Sequence, residues 1–205
     1  MHLGKPVDIG IDISLGEGSL HRTKIVRFSV RLVFINRLSR PLKIKQGNNL
    51  LGIVQPDETK RLSCVKEEKD RAIRVSYEED NANRHIQWSG EIDANSVGVY
   101  ILKMYCQESS EERNRVENSE LKFSVIAADI RLYSPTMFAC FRHVDESAAF
   151  YRIENNLATH DLLYRQENCD NTSWQVLEAG TSALFAWDEP LFPHNVSNNV
   201  IQSIH

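Results

Sequence analysis

A strand signal ending in asparagine occurs twice in this chain, and the two copies narrow what it can fold into. Val33-Phe34-Ile35-Asn36-Arg37-Leu38 matches Arg152-Ile153-Glu154-Asn155-Asn156-Leu157, with the asparagines 119 residues apart. Leu42-Lys43-Ile44-Lys45-Gln46 matches Leu162-Leu163-Tyr164-Arg165-Gln166 at a spacing of 120. Val54-Gln55-Pro56-Asp57-Glu58-Thr59 resembles Leu177-Glu178-Ala179-Gly180-Thr181-Ser182 at a spacing of 123. The drift falls in the breaks between strands, where insertions are tolerated. A period near 120 is much longer than a solenoid repeat and suits a whole β-sandwich per copy. The asparagine reads first as structural, because at a strand end its amide can satisfy backbone groups orphaned where the chain turns.

The rest of the chain also alternates with period two. Val7, Ile9, Ile11, Ile13 and Leu15 point one way, and Asp8, Gly10, Asp12 and Ser14 the other, which predicts a half-buried strand. Gly16-Glu17-Gly18-Ser19 follows as a turn. A long strand follows, with Val26, Phe28, Val30, Leu32 and Phe34 on one face and Arg27, Ser29 and Arg31 on the other, where Val33 and Ile35 then join the apolar set, so this strand starts half exposed and ends buried on both faces. Further strands are expected at 42–45, 73–77, 85–89, 97–106, 121–125, 149–153, 162–166, 174–177 and 183–187. Gln55 to Glu58 is a turn, Lys66 to Asp70 a solvated loop or short helix, and Glu108 to Asn118 a mobile loop. Met137 to Val144 is the best helical candidate, and the tail from His194 shows little pattern and is expected to be disordered. Many short strands with turns between them predict an all-β chain built as an antiparallel sandwich or barrel.

Composition narrows the function classes. The 205 residues carry 24 basic and 28 acidic side chains, a net charge of −4, which argues against a nucleic-acid module. No apolar run is long enough to span a membrane as a helix, and the first residues lack the apolar core of a signal peptide. The four cysteines, at 64, 106, 140 and 169, lack metal-ligand spacing and read as reduced thiols. The seven histidines are scattered without a His-x-x-x-His pair, and there is no Gly-x-Ser-x-Gly elbow. No catalytic residue, metal ligand or cofactor site is therefore expected.

At Tyr151-Arg152-Ile153-Glu154-Asn155, Leu163-Tyr164-Arg165-Gln166 and Leu184-Phe185-Ala186-Trp187-Asp188-Glu189-Pro190, the chain resembles the vacuolar protein sorting-associated protein 13 family. The resemblance is to its adaptor-binding domain, also called the SHR-binding domain. In that family the domain is a row of β-sandwich repeats, each with a characteristic asparagine. The parent proteins look like long bridges that carry lipids between membranes. The domain recruits the bridge by docking short proline-containing motifs of membrane-resident adaptors.

By this resemblance Asn36 and Asn155 take the position of the family's asparagine, and Trp187-Asp188-Glu189-Pro190 takes that of its Trp-Asp-x-Pro ending. Gln46 and Gln166, which close the matched strands, join them as structural or adaptor-related positions. The resemblance implies about one and a half sandwich units: a first repeat with an N-terminal strand over 1–145, and the start of a second, incomplete one over 146–205. It implies a non-catalytic fragment without cofactor or nucleic-acid partner. Lipid would be handled only through the parent, which would sit peripherally at organelle membranes or contact sites on the cytoplasmic side.

The competing expectation is a carbohydrate- or lipid-binding β-sandwich, or an enzyme on that scaffold, with a concave site drawing on Tyr133, Tyr151 and Tyr164. Trp88, Trp174 and Trp187 are expected to fill core with their indole N–H groups satisfied. Arg27, Arg31, Arg37, Arg40, Lys43 and Lys45 read as a solvated sheet face that discourages pairing with other chains.

Overall fold

The computed structural model describes residues 9–63, 72–78, 87–105, 123–144, 151–169 and 174–202. The strands run in chain order as β1 (Ile9–Leu15), β2 (Lys24–Val30), β3 (Leu32–Arg37), β4 (Leu42–Gln46), β5 (Asn49–Val54), β6 (Thr59–Arg61), β7 (Ala72–Tyr77) and β8 (Ile92–Asp93). They continue as β9 (Gly98–Tyr105), β10 (Phe123–Tyr133), β11 (Thr136–His143), β12 (Arg152–Glu154), β13 (His160–Gln166), β14 (Gln175–Leu177), β15 (Ser182–Leu184) and β16 (Val196–Gln202). Among the described residues the single helical element is a 3-10 turn, Gly18–Leu20, so the all-β expectation holds. The described residues divide into two compact units. One is drawn from Met1–Glu78, Asp93–Val99 and Ala128–Arg142, the other from Glu79–Ile92, Tyr100–Ala127 and His143–His205.

In the first unit, β4 lies between β5 and β7, antiparallel to both, with Ile44 opposite Gly52 and Val75. Strand β3 pairs antiparallel with β6 and parallel with β11. The core between these strands holds Leu32, Phe34, Leu42, Ile44, Val54, Ile73, Val75, Met137 and Phe141, all sealed from solvent. Phe34 and Phe141 lie nearly parallel, with ring centroids 6.4 Å apart. Val33 is buried and Ile35 partly so beside buried Leu32 and Phe34, so this stretch does end covered on both faces, but the one long strand expected there is broken by a bend at Arg31 into β2 and β3, which pair in different sheets.

In the second unit, β13 lies between β14 and β16, antiparallel to both, and β12 pairs antiparallel with β15. Tyr164, Leu177 and Phe185 form its buried apolar cluster, with Ile153, Leu162, Ala183 and Trp187 packed against it.

Four expectations are corrected. Residues 137–143 are strand β11, not helix: Met137, Ala139 and Phe141 are buried while Phe138 and Cys140 are less so, a period of two imposed by parallel pairing with β3. The tail forms strand β16 over residues 196–202, ordered by pairing with β13 from Gln166↔Val196 to His160↔Gln202. Gln87 to Ser89 is not a strand. The apolar face of β1 is exposed rather than half-buried, as are Val26 and Phe28 of β2 opposite it. The loops expected at Lys66 to Asp70 and Glu108 to Asn118 lie outside the described residues, as does Val7.

Candidate functional site

The asparagines stand where each sequence match begins, at the end of β3 and just beyond β12. Asn36 is fully buried. Its Nδ2 donates to the carbonyls of Arg40 (2.9 Å) and Val54 (3.0 Å), and its Oδ1 accepts from the Leu38 N–H at 2.9 Å. Asn155 is nearly as buried. Its Nδ2 donates to the carbonyls of His160 and Leu177, both at 2.9 Å, and its Oδ1 accepts from the Leu157 N–H at 3.1 Å. The backbone repeats too. Asn36 N–H donates to the Glu58 carbonyl and Asn155 N–H to that of Thr181. Each of those turns is closed by a bond three residues back, Glu58 to Gln55 and Thr181 to Glu178. The residue before the closing one has a left-handed backbone in both: Asp57 at φ 58° and Gly180 at φ 71°. One amide thus ties three chain segments together at each place, leaving none of its own polar atoms idle.

Gln166 ends β13 and is fully buried. Its Nε2 donates to the carbonyls of Glu189 (3.0 Å) and Pro193 (3.4 Å), and its Oε1 accepts from the Glu189 N–H at 2.9 Å. It clamps the loop after β15, which carries Trp187, Asp188, Glu189 and Pro190. Gln46 ends β4 and is likewise buried.

Trp187 is partly buried in an aromatic cluster. Its ring meets Phe185 edge-on at 4.8 Å and Tyr151 at 5.9 Å, and stacks flat on the His194 imidazole at 4.5 Å. Its Nε1 is buried without a hydrogen-bond partner, which corrects the expectation of a satisfied indole N–H. Trp174 is exposed, with the Arg165 guanidinium 4.6 Å from its ring centroid, which corrects the expectation that it fills core.

Sequence reasoning missed the group that fixes the Trp-Asp-Glu-Pro loop. Lys103 of β9 is fully buried, and its Nζ donates to Asp188 Oδ1 at 2.9 Å. Burial pushes the Lys103 ammonium below its ordinary pKa, while the Asp188 carboxylate works against that shift. Gly90 lets the same loop approach closely, since a Cβ there would stand 2.1 Å from the Asp188 carbonyl oxygen. The Glu91 N–H donates to Glu189 Oε2 at 3.0 Å. The available signal was a lysine in an apolar run, Ile101-Leu102-Lys103-Met104, for a buried lysine is seldom left unpaired.

Other sequence candidates are engaged locally or stand apart. Tyr164 is buried in the core, so it offers no open ring as a binding platform, while Tyr133 and Tyr151 are exposed. The basic residues of the first unit are dispersed onto separate partners: Arg27 on Asp12 and Ser14, Arg31 on the Pro135 carbonyl, Arg37 on Asp57, and Arg40 over the Tyr77 ring. Among the described residues no three His, Cys, Asp or Glu side chains cluster as metal ligands. No helix among them is long and apolar enough to cross a membrane.

Strand β12 shows a geometry of a different kind. Tyr151 O accepts from the Phe185 N–H and Asn155 N–H donates to Thr181 O, so alternate residues 151, 153 and 155 turn their backbone polar groups toward β15. Arg152 and Glu154 turn theirs to the opposite edge, which carries no further strand among the described residues. Their side chains are exposed, with Arg152 Nε 3.4 Å from Glu154 Oε1.

Comparison with known proteins places the chain in a family. The family model of the vacuolar-sorting associated protein 13 adaptor binding domain matches residues 4–193. The intermembrane lipid transfer protein vps13B of Dictyostelium discoideum is 22% identical over 185 residues, covering 87% of this chain. The intermembrane lipid transfer protein vps13D of the same organism is 23% identical over 152 residues, 71% of this chain. The chain spans only 3% of the length of each of these curated relatives. With a match that covers almost all of its length, this chain belongs to the vacuolar-sorting associated protein 13 adaptor-binding-domain family.

Proposed function

We propose that this chain is a non-catalytic adaptor-binding module of a bridge-like lipid-transfer protein. It recruits the parent to organelle membranes or contact sites by docking short proline-containing segments of membrane-resident adaptors. The observation that carries this reading is the family match over residues 4–193, a domain described by adaptor binding rather than by a reaction. The names of the two Dictyostelium relatives, both intermembrane lipid transfer proteins, support the larger context.

The module comprises a first repeat over 1–145 and the beginning of a second over 146–205. In this reading Asn36 and Asn155 hold the strand ends, Gln166 holds the loop after β15, Gln46 closes β4 at the matching position, and Trp187 packs the Trp-Asp-Glu-Pro loop onto the apolar cluster. Their part in adaptor binding is indirect, through the rigidity of the surface they support. The open edge of β12 offers the dock. An extended peptide there would stand beside β12 as β11 stands beside β3 in the first unit. Its backbone would bond to Arg152 and Glu154, and a proline would be tolerated wherever its missing N–H faces away.

The test is a titration of fluorescent proline-containing peptides against the chain and against Glu154→Pro. Proline at 154 removes an N–H that points to the open edge and leaves the bonds to β15 in place. Saturable binding by the parent and loss of it in a variant of unchanged melting temperature is the expected result. Equal binding by both would move the dock away from β12, and no binding by a folded parent would place it elsewhere in the family's array.

A further inference from the structure

The β1–β2 hairpin carries an apolar face that nothing in the described chain covers. The register sets Ile9 opposite Val30, Ile11 opposite Phe28, Ile13 opposite Val26 and Leu15 opposite Lys24, all on one face. Ile9, Ile11, Ile13, Leu15, Val26 and Phe28 are 49–68% exposed. The reverse face is the polar one, where Arg27 pairs with Asp12 and Ser14. The hairpin is anchored at its base on that polar side. Gly10 lies so close to Pro135 that a Cβ would stand 2.4 Å from its carbonyl oxygen, and Ser29 Oγ lies 2.9 Å from Thr136 Oγ1. A two-stranded hairpin alone is marginal in water, and a contiguous exposed aliphatic face is rare unless something binds it.

Charge and shape at the far end point to the occupant. The connecting turn holds Leu20, half exposed, with exposed His21 and Arg22, and exposed Lys24 opens β2, against one carboxylate, Glu17. Lys24 stands on the apolar face itself. The other acidic side chain of the hairpin, Asp12, is already paired with Arg27. Aliphatic side chains on one face and at the tip, with ammonium and guanidinium groups at that same tip, match the boundary between acyl chains and anionic headgroups.

We propose that the β1–β2 hairpin is a membrane-contacting arm that lays Ile11, Ile13 and Phe28 into the interface of an anionic bilayer while Arg22 and Lys24 meet its headgroups. This goes beyond adaptor binding and is independent of the β12 edge.

The experiment is vesicle co-sedimentation of the full chain with phosphatidylcholine alone and with phosphatidylcholine plus phosphatidylserine. Three variants are compared: Ile11→Thr/Ile13→Thr/Phe28→Thr, which keeps strand-forming residues at exposed positions, Arg22→Glu/Lys24→Glu, and Glu154→Pro as a control. The proposal expects binding to the phosphatidylserine vesicles that weakens with added salt. It expects loss of binding in the triple variant, at least a tenfold weaker association in the charge-reversed one, and no change in Glu154→Pro. All variants should melt at the parent temperature. A folded parent that ignores the vesicles, or a triple variant that still binds them, would overturn it. So would sedimentation velocity showing that the parent pairs with a second copy through this face and that the triple variant abolishes the pairing.

Discussion

The two asparagine clasps solve one local problem in two different settings. Around Asn36 the clasp is embedded in a thick core: β3 is flanked by β6 and β11, and Phe34 stacks against Phe141 beneath it. Around Asn155 the flanking sheet has two short strands among the described residues, and the apolar cluster is small. The second unit adds polar fixings, one from the matched Gln166 and one from a pair outside the sequence match. Gln166 grips the Glu189 backbone from both sides, and the buried Lys103–Asp188 pair ties the loop to β9. The bonding pattern of the amide is therefore portable, whereas what lies behind it is not.

The largest effect is expected where the second unit relies on charge. Lys103→Ala leaves Asp188 buried without its ammonium and should cost about 3–5 kcal/mol in chemical denaturation. A Lys103→Met/Asp188→Leu double variant should recover much of that loss, and failure to do so would mean the pair also specifies the loop's conformation. Next come the clasps themselves. Asn36→Ala and Asn155→Ala each strand one buried N–H and two carbonyls, and each should cost about 2–4 kcal/mol. The comparison sharpens if the two losses are equal, because equality would show that the clasp's worth is set by its own bonds. A much smaller loss for Asn155→Ala would show that the thinner surroundings let water replace the amide.

A smaller difference lies in the matched turns. Gly180 adopts its left-handed backbone freely, while Asp57 holds the same conformation with a side chain. Gly180→Ala should destabilise by about 1 kcal/mol through strain, since no atom stands in the way of the new methyl. Asp57→Gly, its converse, should change stability by about 0.5 kcal/mol or less, because aspartate tolerates this region and its pair with Arg37 is exposed.

The smallest effect is a pH slope confined to the first unit. Arg131 donates to both carboxylate oxygens of Asp129, at 3.0 and 2.6 Å, and this bonding holds the Asp129 carboxyl below its ordinary 3.8 despite partial burial. A depressed folded pKa contributes stability that is present above 3.8 and lost as the pH falls through the lower folded value. Asp129→Asn should flatten that part of the acid denaturation curve modestly, because Arg131 is largely exposed and screened.

The asparagines, the glutamines and the matched turns were legible in the sequence because their signals are local. A strand ending in a short amide, a polar break and a second strand fit inside about a dozen residues, and such patterns survive without knowledge of tertiary partners. Strand β16 was not legible, because Val196-Ser197-Asn198-Asn199-Val200 has little strand propensity and is ordered by pairing along the edge of β13. Strand β11 resembled a helix because Met137, Phe138, Ala139 and Phe141 suit either period, and its parallel partner β3 lies about a hundred residues earlier. Alternation in β1 correctly gave one apolar face, yet periodicity cannot say what covers a face. The same limit hid Lys103 and Asp188, whose meaning appears only when they meet.

That pair also bears on the order of events at the ribosome. Asp188 follows Lys103 by 85 residues, which at typical elongation rates is roughly 4–17 s of synthesis. For that interval the lysine has no carboxylate to meet and β9 cannot sink into its final surroundings without stranding a cation. The segment that carries Lys103 must therefore wait, hydrated, for the segment that carries Asp188. A nascent chain halted before residue 188 should leave Lys103 open to amine-reactive labelling, while one extended beyond the Trp-Asp-Glu-Pro loop should conceal it.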